Sequence, residues 1–283
     1  MSEKVTAEMV KELREKTGVG MSKCKEALDQ AGGDLQKAVD ILRKAGMASG
    51  VKKEGRETKE GLIFAVEGKD AVALVEMNSE TDFVAQTDKF KKFLSSLALC
   101  AVETKPSSLQ ELMSKPSKED GSMTNEQYRN VLVQALGENI QCKRMEVIKK
   151  VPNTSYGIYF HMGGKLVTIV AMEGSLGEEG IAKEIAMHVA ADRPDYLCAE
   201  EISSEVKVRE EEIARSQVKG KPENVVEKIV AGKMKAFFDE VCLLSQKFIK
   251  DNTVSVQQHV ESYGKKVGKP MVVTRFWRWK VGQ

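Results

Sequence analysis

Histidine is scarce in this chain: His161, His188 and His259 are the only three, and none lies near a plausible nucleophile. Triad chemistry and ordinary acid–base catalysis need an imidazole poised beside its reacting partner, so neither has much material to work with. The five cysteines, Cys24, Cys100, Cys142, Cys198 and Cys242, are odd in number, scattered, and never spaced as Cys-x-x-Cys. That argues against a disulfide framework and a thiolate zinc site, and leaves small core residues in a reducing compartment. No run approaches the roughly 18 apolar residues of a membrane span. The opening Met1-Ser2-Glu3-Lys4 has no apolar signal segment, so the expectation is a cytoplasmic protein with no membrane partner. Charge of one sign is missing too: 44 Lys and Arg against 42 Asp and Glu give +2, with both signs mixed along the chain. A direct nucleic-acid partner would usually call for a strongly basic face or tail, and none is expected.

What is present is enough apolar material for two or three domains: 283 residues, 41% hydrophobic and 30% charged. Residues 1–50 read as a compact bundle of three short helices. Thr6 caps the first, which carries Met9, Val10 and Leu13 on one face. Gly18 and Gly20 break it, Ser22 caps the second, and Asp34 caps a third that Ala45-Gly46 stops. The loop Thr17-Gly18-Val19-Gly20-Met21 has two readings. Val19 and Met21 are either exposed, like the hydrophobic docking loop of small modules of the ubiquitin-associated (UBA) type, or the loop is a plain connector with Met21 tucked inward. A phosphate cradle is disfavoured because no strand precedes the loop and the glycine pattern is wrong. Residues 51–60 are polar and charged around a single Val51, which reads as a linker that lets the bundle swing.

A repeated unit follows. Leu62 to Val66 and Ala71 to Met77 form a hairpin, then come an amphipathic helix, a second helix, and a strand from Ile140 to Ile148. The pattern returns with Tyr156 to Phe160, Leu166 to Met172, a helix carrying Ile181 to Val189, a helix near Val256 to Tyr263, and a strand through Val281. The fold class is therefore α+β: a UBA-like bundle, then a duplicated core of two three-stranded antiparallel units, residues 61–150 and residues 151–199 with 252–283. Residues 200–251 form an inserted antiparallel helical hairpin, a coiled coil broken at Gly220-Lys221-Pro222. Its apolar stripe, from Val225 to Val241, is covered either by the core or by a second copy in a homodimer. Near the end, Arg275 to Lys280 alternates basic and aromatic residues, as a strand with one packed side would and as an RNA platform would.

The stretch EMNSETDFVAQ, Glu76 to Gln86, joins a strand to the helix through Phe90, Phe93, Leu94 and Leu97. Asn78, Ser79, Thr81 and Asp82 have short polar side chains that cap backbone N–H groups, so the turn is expected to be stiff. Phe83 is the exception in that setting. It either folds back as a staple on the next helix or stands out as an anchor for a partner's pocket.

Two stretches together, LREKTGVGMSKCKEAL from Leu13 to Leu28 and Glu76 to Gln86, resemble the signatures of the elongation factor Ts family, guanine-nucleotide exchange factors for elongation factor Tu. The resemblance spans nearly the whole chain. It implies a non-enzymatic factor without a cofactor of its own, whose partner is elongation factor Tu, GDP-bound and nucleotide-free. The family's roles fall here on Thr81, Asp82, Phe83 and Val84, which enter near the partner's Mg2+ site with Phe83 as wedge. Partner-binding positions match Arg14, Val19, Met21 and Lys25 in the bundle, Leu136 and Gly137 before Glu138-Asn139-Ile140, and His161. Ser22, Gln86 and Glu184 depart from the family's usual residues, and the sequence stops soon after its last strand, where some members carry a further helix. Two other readings remain, a ubiquitin-like or chaperone binding module and an RNA-binding protein, both without exchange activity.

Overall fold

The structure, a computed structural model, describes residues 5–218 and 222–283. The expected hairpin break at Gly220-Lys221-Pro222 thus lies largely outside the described residues. The fold is α+β and divides into two compact units. The first holds residues up to Lys150 together with Met162–Leu166 and Lys280–Gln283; the second holds Val151–His161 and Val167–Trp279.

The first unit opens with helices α1 (Ala7–Thr17), α2 (Met21–Gln30) and α3 (Leu35–Lys53). Thr6 caps α1 by accepting from the Met9 amide, and the Asp34 carboxylate accepts from the Gln36 and Lys37 amides at the start of α3. Ser22 is not a cap. Helix α2 begins two residues earlier, at Met21 after Gly20, and Ser22 Oγ instead donates to Glu26 one turn on. Val10, Leu13, Val19, Cys24, Ala27, Leu28, Ala38 and Leu42 form the bundle's own core.

The structure also corrects the end of α3. Gly46 does not stop it, and the helix continues to Lys53 through residues expected to be linker. The glycines are there for packing: a Cβ on Gly46 would meet Asn130 O and Gln134 Oε1 at 3.3 Å, and one on Gly50 would fall 1.9 Å from Asn130 Oδ1. Both partners lie on α7 (Asn125–Leu136), so α3 crosses α7 at close range and the bundle is docked instead of swinging on a tether. That contact also explains why α7 buries the polar Asn130 and Gln134, while the buried Arg129 donates to Ile140 O at 2.6 Å.

Strands β1 (Glu60–Glu67), β2 (Ala71–Ser79) and β3 (Ile140–Lys149) form an antiparallel sheet with β2 in the middle and buried throughout. The short α4 (Asp82–Ala85), then α5 (Asp88–Thr104) and α6 (Leu109–Ser114), follow β2. Phe90, Phe93, Leu94 and Leu97 of α5 pack with Leu62, Val75 and Met77 in the unit's core. A register shift at Glu76/Met77 puts Arg144 opposite Glu76. Glu76 is 2% exposed, its Oε2 accepts from Arg144 Nε at 2.7 Å, and its Oε1 accepts from the Gly282 amide at 3.0 Å.

The second unit contains β4 (Thr154–His161), β5 (Leu166–Glu173), which begins at the unit boundary, and β8 (Val272–Lys280), which ends at it, in that sheet order. Helix α8 (Glu179–Asp192) packs on β4. Gly157 makes that approach possible, since a Cβ there would lie 2.1 Å from the Ala182 carbonyl carbon. Helices α9 (Ser204–Ser216) and α10 (Glu223–Val241) pack together, with Val230 buried and Val208 and Ile213 exposed. The second helical run ends at Val241, ten residues short of the expected boundary. The chain then forms a small ladder, β6 (Lys247–Phe248) with β7 (Asp251–Ser255), before α11 (Val256–Val267). Phe248 explains the difference: it is a core residue of this unit, stacked on His259 at 4.0 Å, and cannot belong to a projecting hairpin. On β8, Trp277 is buried and Arg275 sits over its ring at 4.8 Å, so this aromatic is packed and does not offer an open stacking face.

Two outcomes follow from these polar contacts. Arg144→Met leaves the Glu76 carboxylate buried without its counter-charge and should lower stability in chemical denaturation by about 3–5 kcal/mol. His188 is buried: its Nε2 donates to Gln246 Oε1 at 3.0 Å while Nδ1 accepts from the Ile249 amide at 3.3 Å, a pattern only the neutral ring satisfies. Burial lowers its pKa below the ordinary 6.5, against the opposing pull of the Gln246 bond and Asp192. The unfolded chain therefore takes up this proton first, so the contribution is intact above pH 6.5 and declines as the pH falls below it. Melting followed against pH should show the stability gap between the wild type and His188→Gln narrowing below that point.

Candidate functional site

Phe83 stands at the second position of α4, with 88% of its surface exposed. The staple reading is thereby excluded. Its neighbours explain the direction: Val84 and Ala85 are buried in the core cluster with Phe90 and Phe93, and a helix advancing about 100° per residue must then turn the preceding side chain outward.

The turn around Phe83 is tied on several sides. Thr81 is the N-cap of α4, and its Oγ1 accepts from the Val84 amide at 3.5 Å. The same residue is gripped from outside: its backbone N–H and its hydroxyl donate to the two oxygens of Glu138, at 2.9 and 2.6 Å. Ser79 Oγ donates to Thr81 O, and Thr87, the cap of α5, donates its hydroxyl to Val84 O, at 2.8 and 2.7 Å. Glu80 accepts from the Asn139 amide at 2.7 Å and pairs with Arg56 at 3.4 Å. Glu138 and Asn139 themselves sit on a held corner between α7 and β3. Lys53, in the last turn of α3, donates to the Gly137 carbonyl at 2.6 Å, and Asn139 Nδ2 donates to Arg56 O at 2.8 Å.

Asp82 is exposed beside Phe83 and makes an ion pair with Lys165 at 2.6 Å. The hydrogen bond from that ammonium holds the Asp82 carboxyl below its usual range. Burial alone would lower Lys165, but the Asp82 and Glu60 carboxylates outweigh it and keep the amine above its ordinary value. Both charges are therefore in place across the neutral range.

Of the bundle residues, Arg14, Met21 and Lys25 are exposed, Met21 by 51%. Val19 is a correction. It is 1% exposed, and its carbonyl accepts from Cys24 Sγ at 3.3 Å, so its side chain belongs to the bundle core and offers no surface for docking. The loop is joined to the other signature, because Lys89 in the first turn of α5 donates to Gly18 O at 3.2 Å. Leu136 packs against the core at the end of α7, and Gly137 takes the left-handed cap position, φ 82°. His161 is exposed at the end of β4, 3.3 Å from the Tyr159 hydroxyl. Among the departures, Gln86 is the C-cap of α4 and Glu184 pairs with Lys250 at 3.0 Å.

Sequence reasoning passed over Glu138, Lys165 and Lys53. Glu138 lies inside a quoted motif, yet nothing local shows that its carboxylate reaches 57 positions back to Thr81. Lys165 follows two glycines in a turn, a setting that reads as solvated. Among the described residues no cluster of His, Cys, Asp and Glu is arranged to hold a metal ion, and no helix is long and apolar enough to cross a membrane.

A family model described as Elongation factor TS matches residues 80–283. The chain is 52% identical over 279 residues to "Elongation factor Ts" of Protochlamydia amoebophila (strain UWE25), covering 99% of each protein. It is 46% identical over 275 residues to "Elongation factor Ts" of Chlamydia muridarum (strain MoPn / Nigg), covering 97% of this chain and 98% of that one. A third relative of the same name, from Chlamydia pneumoniae, is 43% identical over 275 residues, with the same coverage. A family match over more than half the chain, with relatives this similar from end to end, places the protein plainly: it belongs to the elongation factor Ts family.

Proposed function

We propose that this chain is the guanine-nucleotide exchange factor for elongation factor Tu, that it binds the GDP-bound form, and that it speeds GDP release by pressing the Phe83 ring into the partner's Mg2+ site. GTP entering the emptied partner then displaces it. The observation that carries the reading is a large aromatic ring 88% exposed on a turn whose neighbours are all tied down. Aromatic anchors on rigid elements are what make interface hot spots, and a mobile ring could not transmit force.

The physical logic lies with the metal. Mg2+ demands near-ideal octahedral geometry and bridges the nucleotide phosphates to the protein, so a small displacement of the segment holding it removes much of the nucleotide's affinity. Thr81, Asp82, Phe83 and Val84 form the intruding element: Thr81 caps it, Val84 roots it in the core, and Asp82 offers a charge beside the ring. GDP and Mg2+ are ligands of the partner, no covalent step falls to this chain, and in that sense it is not an enzyme. By reciprocity, whatever factor weakens nucleotide binding is itself weakened by nucleotide to the same extent, so exchange needs grip elsewhere.

That grip is assigned to Arg14, Met21 and Lys25 on the bundle, to the Leu136–Gly137 corner and to His161, all but half-buried Leu136 being exposed. The bundle is read as UBA-like, and the two three-stranded sheets as copies of one ancestral unit with α9 and α10 inserted in the second.

Stopped-flow GDP release from the purified partner tests the wedge. Phe83→Ala should slow release about ten-fold or more while costing only about 1–3 kcal/mol of binding, one anchor among several. Unchanged release removes Phe83 from the mechanism. Met21→Ala should do the opposite, raising the concentration needed for half-maximal release and leaving the saturated rate near that of the wild type.

A further inference from the structure

Helix α4 is four residues long, too short to hold its own direction, because a single helical turn fixes several dihedrals for one hydrogen bond. The direction of Phe83 must come from what holds the turn: its local caps, the Ser79 hydroxyl on Thr81 O, the Glu138 grip on Thr81 and the Glu80 contacts to Asn139 and Arg56. One further contact, made to Asp82, comes from a distant stretch of chain. Lys165 reaches both Glu60, the first residue of β1, at 2.5 Å and Asp82, the first residue of α4, at 2.6 Å.

The point from which Lys165 reaches is itself fixed. A Cβ on the preceding Gly164, φ 103°, would lie 2.8 Å from Ile63 O, so only glycine lets this turn lie so close on β1. The Lys165 carbonyl accepts from the Val281 amide at 3.0 Å. Its side chain is 23% exposed, against 51% for Asp82, so the cation is the sheltered member of the pair and the carboxylate the solvent-facing one.

We propose that Lys165 is a positioning residue for the wedge: by pinning Asp82 it holds the Phe83 ring in the attitude that enters the partner. It touches neither nucleotide nor metal and acts through the turn. Resting on the exchange reading above, the assignment makes Lys165 a determinant of how fast nucleotide leaves once the complex has formed, and not of how tightly the complex forms.

The test combines release kinetics with amide hydrogen exchange at Val84, Ala85 and Gln86, whose N–H groups close the turn. With Lys165→Met the saturated GDP-release rate should fall about three- to five-fold, the range open to one partly exposed ion pair, while the half-saturating concentration moves by less than about two-fold. Exchange at the three amides should quicken by a similar factor. Lys165→Arg should restore most of both, and Glu60→Gln, which removes only the other carboxylate, should leave both as in the wild type. An unchanged saturated rate overturns the proposal. So does a shift confined to the half-saturating concentration, which marks a contact residue, or an equal loss with Glu60→Gln, which marks a brace of β1. Should Lys165→Met not fold, wild-type exchange at rising salt decides: protection of the three amides that does not fall as the pair is screened overturns the pin. The amide measurement needs no partner, so it fails or succeeds independently of whether Phe83→Ala proves the exchange reading wrong.

Discussion

The feature on which the site depends is the pair of hydrogen bonds from Thr81 to Glu138. A one-turn helix has no cooperative length to steady it, so its cap must be steadied from elsewhere. Glu138 does this with both oxygens, one on the backbone amide and one on the hydroxyl, which fixes the residue in rotation as well as in place. The hydroxyl then has a lone pair left for the Val84 amide, so the external grip and the internal cap use the same oxygen. Geometry around Thr81 is thus determined by α7 and β3 as much as by the strand that leads into it.

The corner carrying Glu138 is in turn held by the end of α3. Lys53 caps the C-terminus of α7 through the Gly137 carbonyl, and Asn139 binds the carbonyls of Glu54 and Arg56 just past α3. A cation at that position also meets the negative end of the helix dipole. Partial burial and the nearby Arg56 and Lys23 lower the Lys53 pKa, so this cap trades some solvation for position. The consequence is mechanical. The bundle that carries Met21 and the turn that carries Phe83 belong to one packed unit, joined through α3, α7 and the Lys89 contact to Gly18. On the exchange reading, a partner held by the bundle meets the ring at a set distance, and little ordering entropy is spent in bringing the second contact to bear.

Much of this was legible from residue order, and where it was not the reason is specific. Strand positions followed from alternation and turn residues, and Phe90, Phe93, Leu94 and Leu97 from helical spacing, because those signals are local. Gly46 misled because glycine marks both a helix stop and a close helix crossing, and only the position of α7 tells them apart. Val19 and Met21 are equally apolar and two residues apart. Which of them faces inward depends on where α2 begins, and that start at Met21 leaves Val19 in the loop, turned into the core. Phe248 was hidden within a stretch read as helix, since burial against His259 leaves no periodic trace. Lys165 and Glu138 act across 83 and 57 positions, beyond any window in which charge pattern is informative.

The exposure of Phe83 is itself an argument about what the turn was shaped to do. Folding gains nothing from a phenyl ring in water, since the apolar stabilisation of about 25 cal/mol per Å2 is available only on burial. Any polar residue at this position would serve the fold as well, because Val84 and Ala85 already root the helix. Four polar or charged contacts nevertheless hold the segment that presents it, at Thr81, Asp82, Glu80 and Thr87. Such bracing would be idle around a side chain with no partner. On the exchange reading, a ring kept in water and kept still already carries most of the ordering cost of its contact, so the energy gained on entering a partner's pocket would be left to distort that pocket.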